Sequence, residues 1–433
     1  MTTLLVAVGI AVGSGILRTP GLVAAELPSP AWILLVWTIG GLFCLASGLV
    51  SAELCTRFPK AGGEYVYLRE AYGEGVAFFF GWAFTVFIVG GGVATIGAAA
   101  GEAAAAVFGL SEQLAPWLAA LSVVAVTFVN ALGLSAGAGT QNLLTGAKVV
   151  ALSVVAGLGF VLGEPGKLSA AIESAPSISL GGLLAALPPV LFAYAGTTDT
   201  AKLAEEVESP EKAMPTAMIG AALLVTCVYL VVNVSYLFVL SPSEMAGRSF
   251  VASDIFSILL GPVGERAMNA ISLLVFLGAL SSTVLATVRV TFALARDGLA
   301  PKRLAFISKG QAPVFALVLV GLIATAFTLF RGFRQILDIY FLASSVLFGL
   351  TYLSLLVFRR RDSRDGRSAP AGMFRCPWAP GLVLGLIGVQ LAIAFDILRS
   401  NPRDALGAAS LVVVLAAAYL GLRWFRASRA RAS

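Results

Sequence analysis

The residues best suited to bind a small charged group form the run Gly13-Ser14-Gly15-Ile16, in the middle of the first apolar segment. Two glycines and a serine make a poor helix interior, because they let the backbone unwind and expose N–H groups. At membrane depth such a break is tolerated only where protein or a cavity surrounds it. The half-helix that follows points its positive end at the bilayer centre, which suits an anionic group such as a carboxylate.

A second interruption is expected in the matching place of the second half of the chain, five spans later. There Phe192-Ala193-Tyr194-Ala195-Gly196 is followed by Thr197-Thr198-Asp199, whose side chains compete for backbone hydrogen bonds. The preceding pair Pro188-Pro189 is expected to end or kink the helix. Free carbonyls around Phe192 to Ala195 suit an ammonium group, so the two breaks together predict a receptor for an α-amino acid. A packing role for the small residues is the alternative.

The elements that position these residues are membrane spans. Of 433 residues, 58% are hydrophobic and only 12% are charged, about half the charge of a soluble domain. This composition predicts an all-α integral membrane protein. Twelve spans of roughly 20 apolar residues are expected, called spans one to twelve below. They lie near 3–26, 31–55, 75–107, 115–134, 142–162, 180–207, 214–240, 266–295, 313–330, 335–358, 379–398 and 406–425. A short amphipathic helix is expected at 250–260.

Charge distribution predicts the orientation. Most of the 29 lysines and arginines fall on one side of the bilayer if the N-terminus is cytoplasmic, so both termini are expected in the cytoplasm of a multi-pass plasma (inner) membrane protein. The basic residues follow span ends, which indicates lipid as partner and excludes a nucleic-acid surface. The chain has no histidine, which excludes histidine relays and the usual metal sites. No cofactor or metal is expected, and no protein partner is indicated.

Several motifs resemble the amino acid–polyamine–organocation (APC) superfamily, above all its L-type amino acid transporters and their bacterial relatives. The resemblance runs in order from residue 9 to residue 301. The matching segments are 9–17 with Gly-Ser-Gly-Ile, 52–65 with Phe-Pro-Lys-Ala-Gly-Gly-Glu-Tyr, 192–210 with Glu-Glu-Val-Glu-Ser-Pro, and 295–301 with Ala-Arg-Asp-Gly-Leu-Ala-Pro. Thr197-Thr198 depart from the Trp-Asn or Phe-Asp pairs of the family, which alters the side-chain pocket.

This resemblance implies a LeuT-type fold with twelve transmembrane helices. One inverted repeat would occupy residues 1–162 (helices 1–5), a second 180–358 (helices 6–10), and helices 11 and 12 would occupy 379–425. A bundle of helices 1, 2, 6 and 7 would rock against the rest. Substrate-binding residues carried over from the family are Ala11, Gly13, Ser14, Gly15, Ile16, Phe192, Ala195, Gly196, Thr197 and Thr198. Phe192 would be the aromatic lid above the substrate.

Two ionisable residues in the spans are functional candidates. Lys148 is expected about six residues, or roughly 9 Å, into span five. The resemblance implies that its ammonium replaces a bound sodium ion and couples span five to span one, whereas a snorkelling lysine is the alternative. Asp199 is expected to cap the inner half-helix of span six, and contact with a cationic substrate or a proton is the other interpretation.

These observations predict a secondary active transporter that moves amino acids, expected to be neutral, by alternating access. Exchange, uniport and proton coupling all stay open, so a proton is a second candidate partner. A cationic amino acid or polyamine carrier is the alternative. A membrane enzyme would need converging catalytic residues, which the sequence does not offer, and a channel would need a continuous polar pore.

Overall fold

A computed structural model gives the architecture. It describes residues 4, 7–8, 15–60, 62–133, 138–166, 168, 179–201, 204, 207, 209–308, 312–366, 372–400 and 414–421. The predicted residues Ala11, Gly13 and Ser14 lie outside this set, as do Glu205 and Glu206. All regular structure in the described part of the chain is helical.

Helices occupy each predicted span. Eight are long and apolar enough to cross a membrane within the described residues. Their bounds are Pro30–Arg57, Glu74–Phe108, Glu112–Ala131, Leu180–Asp199, Pro210–Val239, Val251–Arg296, Phe333–Asp365 and Ala379–Ser400. Span five is the helix Ala138–Leu162, span nine is Val314–Phe330, and residues 414–421 belong to span twelve. The all-helical membrane fold is therefore confirmed, whereas the division into inverted repeats stays a prediction.

Span one is described from its middle outward. A helical turn, Gly15–Arg18, leads into the helix Pro20–Glu26. Thr19 joins the two, because both its amide and its hydroxyl donate to the Gly15 carbonyl, at 2.8 and 2.9 Å. Proline at the first position of the second helix needs no hydrogen-bond partner there. From Gly15 onward, the chain beyond the predicted break is thus a continuous helical segment up to Glu26.

Two other spans depart from a simple helix. Span three contains a π-helical segment, Phe84–Gly90, where the Thr85 hydroxyl meets the Thr291 hydroxyl of span eight at 2.9 Å. The helix Val251–Arg296 bends at Gly261, which has a φ of 71° and precedes Pro262. The part before this bend corresponds to the short helix predicted at 250–260.

Candidate substrate site

The interruption of span six is narrower than the sequence suggests. The helix Leu180–Tyr194 runs through both prolines, so the expectation that they end it is wrong. A second short helix, Gly196–Asp199, follows directly, and Ala195 between them keeps right-handed helical angles, φ −58° and ψ −32°. The interruption is thus one of hydrogen bonding, with little unwinding of the backbone.

The carbonyls at this interruption all receive local donors. The Phe192 carbonyl accepts the Ala195 amide at 3.2 Å, and the Ala195 carbonyl accepts the Thr198 hydroxyl at 3.3 Å. The Tyr194 carbonyl accepts the Thr197 hydroxyl at 3.0 Å. Because a carbonyl oxygen has two lone pairs, the Phe192 and Ala195 carbonyls can each accept a further hydrogen bond from a ligand, whereas the Tyr194 carbonyl also accepts the Cys44 thiol. Thr197 and Thr198 therefore hold the chain at the point where the family has bulkier residues.

Spans one and six meet at Gly15. A Cβ atom built on Gly15 would lie 2.3 Å from the Ala193 Cα and 2.4 Å from its Cβ. Only a glycine allows this approach of two backbones. Ile16 beside it is fully buried in the core. The structure thus brings the described part of the span-one site, Gly15 and Ile16, against the predicted site in span six.

Aromatic side chains fix span six to spans two and seven. Trp37, Tyr194 and Tyr229 form a triangle with ring centroids 5.1–6.0 Å apart. The Tyr229 hydroxyl donates to the Ala193 carbonyl at 3.1 Å, and the Tyr194 hydroxyl donates to the Trp37 carbonyl at 3.0 Å. Since Gly15 packs on Ala193, these contacts join spans one, two, six and seven into one body.

A cavity of about 60 Å³ lies against the interruption, between spans two, six, ten and eleven. Its lining combines hydroxyl, aromatic and acidic groups. Among the lining residues are Cys44, Ser47, Ala195, Thr197, Thr198, Tyr340, Phe341 and Tyr352, with Glu64, Asp199 and Gln390. Thr197 is held by the Cys44 thiol at 2.9 Å, and Ser47 by the Tyr352 hydroxyl at 2.8 Å.

Acidic side chains do reach this cavity. The expectation of a neutral substrate assumes that no acidic side chain enters the pocket, and the structure differs from that assumption. Asp199 lies at the end of the helix Gly196–Asp199, whose first residues carry no side-chain cap. Asp199 lies in the first turn of this short helix, its capping role stays a prediction, and the residue lines the cavity together with Glu64. The sequence signal for Glu64 was its place in the Gly-Gly-Glu-Tyr motif after span two.

Phe192 is half-buried at the opposite end of the interruption from Asp199. Its ring packs edge-on against Tyr340 of span ten, with centroids 5.7 Å apart. Tyr340 itself lines the cavity. The contact joins spans six and ten, and the lid role of Phe192 stays a prediction.

Ion pairs close the predicted outer end of the bundle. Arg18 of span one is buried and donates to both carboxylate oxygens of Glu102 in span three, at 2.6 and 3.3 Å. Its guanidinium also lies 4.5 Å from the ring centroid of Phe333 in span ten. Arg334 of span ten pairs with Glu26 of span one at 3.3 Å. Sequence reasoning did not predict these pairs, although Arg18 inside an apolar span was a signal.

A different ion pair lies at the predicted cytoplasmic end. Glu53 of span two is 0% exposed. Its carboxylate accepts hydrogen bonds from Arg359 at 3.0 and 2.5 Å and from the Cys376 amide at 2.7 Å. Burial raises the pKa of the Cys376 thiol to about 11, with the Glu53 carboxylate adding to the effect. These hydrogen bonds therefore hold span two against span ten and against the loop that follows span ten. Arg57 and Asp362 form a second pair beside it.

Lys148 lies ten residues, about 15 Å, beyond Ala138, the first described residue of the span-five helix. Its side chain is only 2% exposed. A snorkelling lysine keeps its charged head in water, and this burial disfavours that interpretation. Within the described residues no cluster of histidine, cysteine, aspartate or glutamate has a metal-binding arrangement.

The fold and the site together define a class of protein. Apolar helices long enough to cross a membrane, with span one packed at Gly15 directly against the interruption of span six, are consistent with a secondary carrier. A family model described as amino acid permease matches residues 1–418, and the chain therefore belongs to that family of the APC superfamily. It has the LeuT-type fold of these transporters and is an amino acid transporter, not an enzyme.

Individual relatives agree with this assignment. The chain is 29% identical to the serine/threonine exchanger SteT of Bacillus subtilis over 384 residues, 87% of this chain and 86% of the relative. It is 30% identical to the human b(0,+)-type amino acid transporter 1 over 402 residues, 89% of this chain and 80% of the relative. It is also 30% identical to the vacuolar cationic amino acid transporter 2 of Arabidopsis thaliana, over 82% of this chain and 58% of the relative.

Proposed function

We propose that the chain exchanges α-amino acids across the membrane by alternating access, without sodium. The observation that carries this proposal is the contact between Gly15 and Ala193, which joins the start of the outer half of span one to the interruption of span six. Amide groups at the start of a half-helix suit the substrate carboxylate, and the carbonyls of span six suit its ammonium group.

The moving part is the bundle of spans one, two, six and seven. The triangle of Trp37, Tyr194 and Tyr229 supports this, because it ties three of the four spans together. The ion pair between Arg18 and Glu102 crosses from the bundle to span three. It has to break when the bundle moves away, and it therefore serves as a reversible closure.

Coupling is assigned to Lys148. A buried ammonium on span five supplies a fixed positive charge where a bound cation would otherwise be needed. Residues 9–14 of span one are the proposed partners, as the resemblance to sodium-independent members of the family implies. A carrier of this design needs no sodium gradient, because the outward gradient of one amino acid drives the uptake of another in exchange.

Two substrate classes are proposed. Neutral amino acids follow from recognition through backbone dipoles, which needs no charge on the side chain. Cationic amino acids are the second class, favoured by the carboxylates of Glu64 and Asp199 in the cavity. The names of the relatives support both, since they include a serine/threonine exchanger and cationic amino acid transporters. The proposed location is the plasma (inner) membrane, with both termini cytoplasmic.

Counterflow tests the proposed exchange. Proteoliposomes preloaded with unlabelled L-serine should take up labelled L-serine faster than empty ones, whereas a channel would show no acceleration. Serine methyl ester and the deaminated acid should compete roughly ten- to a hundred-fold less well, because each leaves one set of backbone groups unpaired. Equal competition by the ester would contradict the carboxylate site.

Replacement of sodium by choline tests the role of Lys148. Wild-type exchange should be unchanged, and Lys148→Ala should lower turnover more than it lowers the amount of folded protein. Gly146→Ala on the same helix is a matched control, since a Cβ atom there meets nothing within 4 Å. Uptake that needs sodium and survives Lys148→Ala would remove the coupling role.

A further inference from the structure

A second, apolar groove lies at the predicted cytoplasmic end of the molecule, apart from the substrate cavity. It has a volume of about 500 Å³ and is formed where span three, the loop after span eight and span twelve meet. We call it the span-twelve groove. An apolar space of this size does not suit water, which needs polar partners. Its lining includes Phe78 and Trp82 of span three, Leu299 and Pro301 of the loop, and Leu415 and Ala418 of span twelve.

Contacts on both sides fix the walls of this groove. The Trp82 indole donates to the Leu299 carbonyl at 3.2 Å, which uses the one polar group of that side chain. Phe78 packs on Tyr419 of span twelve, with ring centroids 5.2 Å apart. A Cβ atom built on Gly75 would lie 3.2 Å from the Tyr419 hydroxyl oxygen, so spans three and twelve approach closely. The groove therefore presents an apolar surface between elements that are held together by their own contacts.

Basic side chains lie at the rim of the groove. Lys302 and Arg303 follow Pro301 directly, in a short 3₁₀ helix, and both are exposed. Neither forms an ion pair with any residue in the described part of the chain. The single acidic residue of the segment 295–308 is Asp297, which pairs with Arg69 at 2.5 Å. The rim next to the groove is thus positively charged.

Exposed apolar side chains indicate that this rim lies at a lipid interface. Phe306 and Ile307 come shortly after the two basic residues and are 54% and 47% exposed. Apolar side chains that flank basic ones favour the boundary between lipid headgroups and acyl chains, where a tryptophan such as Trp82 is also common. The charge distribution of the spans assigns this end to the cytoplasmic side, whose leaflet carries anionic lipids.

We propose that the span-twelve groove binds one anionic phospholipid, with an acyl chain along Trp82 and Ala418 and the phosphate on Lys302 and Arg303. The ammonium and guanidinium groups donate charge-assisted hydrogen bonds to phosphate oxygens. Each basic residue near the surface favours an anionic lipid by roughly fivefold, so the two together favour it by roughly ten- to thirtyfold. The lipid holds spans three and twelve and the loop between them in place. This site does not rest on the proposed function.

Native mass spectrometry of the full chain in detergent tests the proposal. The probes are dioleoyl phosphatidylglycerol and dioleoyl phosphatidylcholine, which share their acyl chains and differ in net charge. The first phosphatidylglycerol molecule should bind at least tenfold more tightly than the first phosphatidylcholine, and it should give the larger increase in melting temperature. Equal affinities would overturn the proposal. Inorganic phosphate should not displace the bound lipid, and displacement at a similar concentration would mean that the rim binds a free anion instead.

Variants then locate the lipid. The double variant Lys302→Gln, Arg303→Gln should weaken phosphatidylglycerol binding roughly ten- to thirtyfold, to the affinity of phosphatidylcholine, because both charges at the rim are lost. Ala418→Phe places a ring in the groove and should weaken the first molecule of both lipids. Lys302, Arg303 and Ala418 are all exposed, so the melting temperature in lipid-free detergent should equal that of the wild type.

Matched controls make the same chemical changes elsewhere. Lys212→Gln with Arg360→Gln removes two exposed charges at the same predicted end of the molecule, and Ala417→Phe enlarges an exposed residue of span twelve outside the groove lining. Both controls should bind phosphatidylglycerol as the wild type does. An equal loss in the control charge variant would mean diffuse attraction by the whole surface and would overturn the site. Undiminished binding to both groove variants would place the lipid elsewhere and overturn it as well.

Discussion

The two ends of the helix bundle are closed by ion pairs of different kinds. At the predicted outer end, Arg18 pairs with Glu102, whose side chain keeps 27% of its exposure. At the predicted cytoplasmic end, the side chain of Glu53 is fully buried between Arg359 and Cys376. Charges freed at the outer end can be rehydrated, whereas a freed Glu53 carboxylate would remain in a dry interior. The comparison teaches that the outer pairs cost less to separate in each cycle than the inner pair, which is the stronger of the two closures.

Gly15 lies between the two ends, so its replacement should have the largest effect. Gly15→Val or Gly15→Ala places a Cβ atom 2.3 Å from the Ala193 Cα, and the backbones of spans one and six must separate. Transport should be abolished in proteoliposomes. Gly157→Ala, where a Cβ atom meets nothing within 4 Å, should transport normally. Normal uptake by Gly15→Ala would contradict the close approach and with it the site.

Glu53→Gln should have the largest effect on stability. It removes the charge of a fully buried carboxylate and weakens its hydrogen bonds from the half-buried Arg359 guanidinium and the Cys376 amide, which costs about 1–3 kcal/mol. The melting temperature of the detergent-solubilised protein should fall accordingly. Arg364→Gln, at an exposed pair with Asp365, is the control and should leave it unchanged. If Glu53→Gln and Arg364→Gln both have the melting temperature of the wild type, the ion pair between Glu53 and Arg359 does not stabilise the fold.

Breaking the outer pair should have a smaller effect on stability and a visible effect on conformation. Arg18→Met and Glu102→Gln should each destabilise the outward-closed state, with a coupling of about 1 kcal/mol in a double-mutant cycle. The loss should show as faster solvent exchange of amides in Pro20–Glu26. If the effects of Arg18→Met and Glu102→Gln on stability are additive, the two side chains do not interact in the membrane.

The smallest expected effect concerns the Cys376 thiol, which reports on the inner closure. Burial raises its pKa to about 11, so the reactive thiolate is a minor species at pH 8. Maleimide labelling of the wild type, in a background without the other three cysteines, should be slow and should rise with pH up to about 11. Glu53→Gln should speed labelling at pH 8. Fast labelling of the wild type would contradict the burial of the Cys376 thiol beside the ion pair of Glu53 and Arg359.

Much of the architecture could be predicted because a membrane span can be recognised from the apolar composition of one continuous stretch of sequence. Within the described residues, eight long apolar helices and several shorter ones lie in the predicted spans, a helix is present at the predicted 250–260, and the family and amino acid transport are confirmed. The error at Pro188-Pro189 has a physical cause. A proline removes one amide donor, but neighbouring spans can satisfy the freed carbonyl, so the helix continues. The substrate-binding residues stay a prediction.

Pairings between distant residues could not be predicted. Arg18 and Glu102 are 84 positions apart, and Glu53 and Arg359 are 306 apart. No local pattern selects those partners, because they depend on how the spans pack. Gln390 carried a usable signal, since an amide inside an otherwise apolar span needs a reason.

The Ala185 carbonyl carries a consequence for how this chain can change over generations. Pro189 has no amide to offer it four residues later, and the carbonyl instead accepts a hydrogen bond from Arg334 at 3.4 Å. A mutation that turns Pro189 into any other amino acid restores a competing donor at that oxygen. Mutations at positions 189 and 334 should therefore be epistatic, so that lineages which lose the proline are freer to lose the arginine.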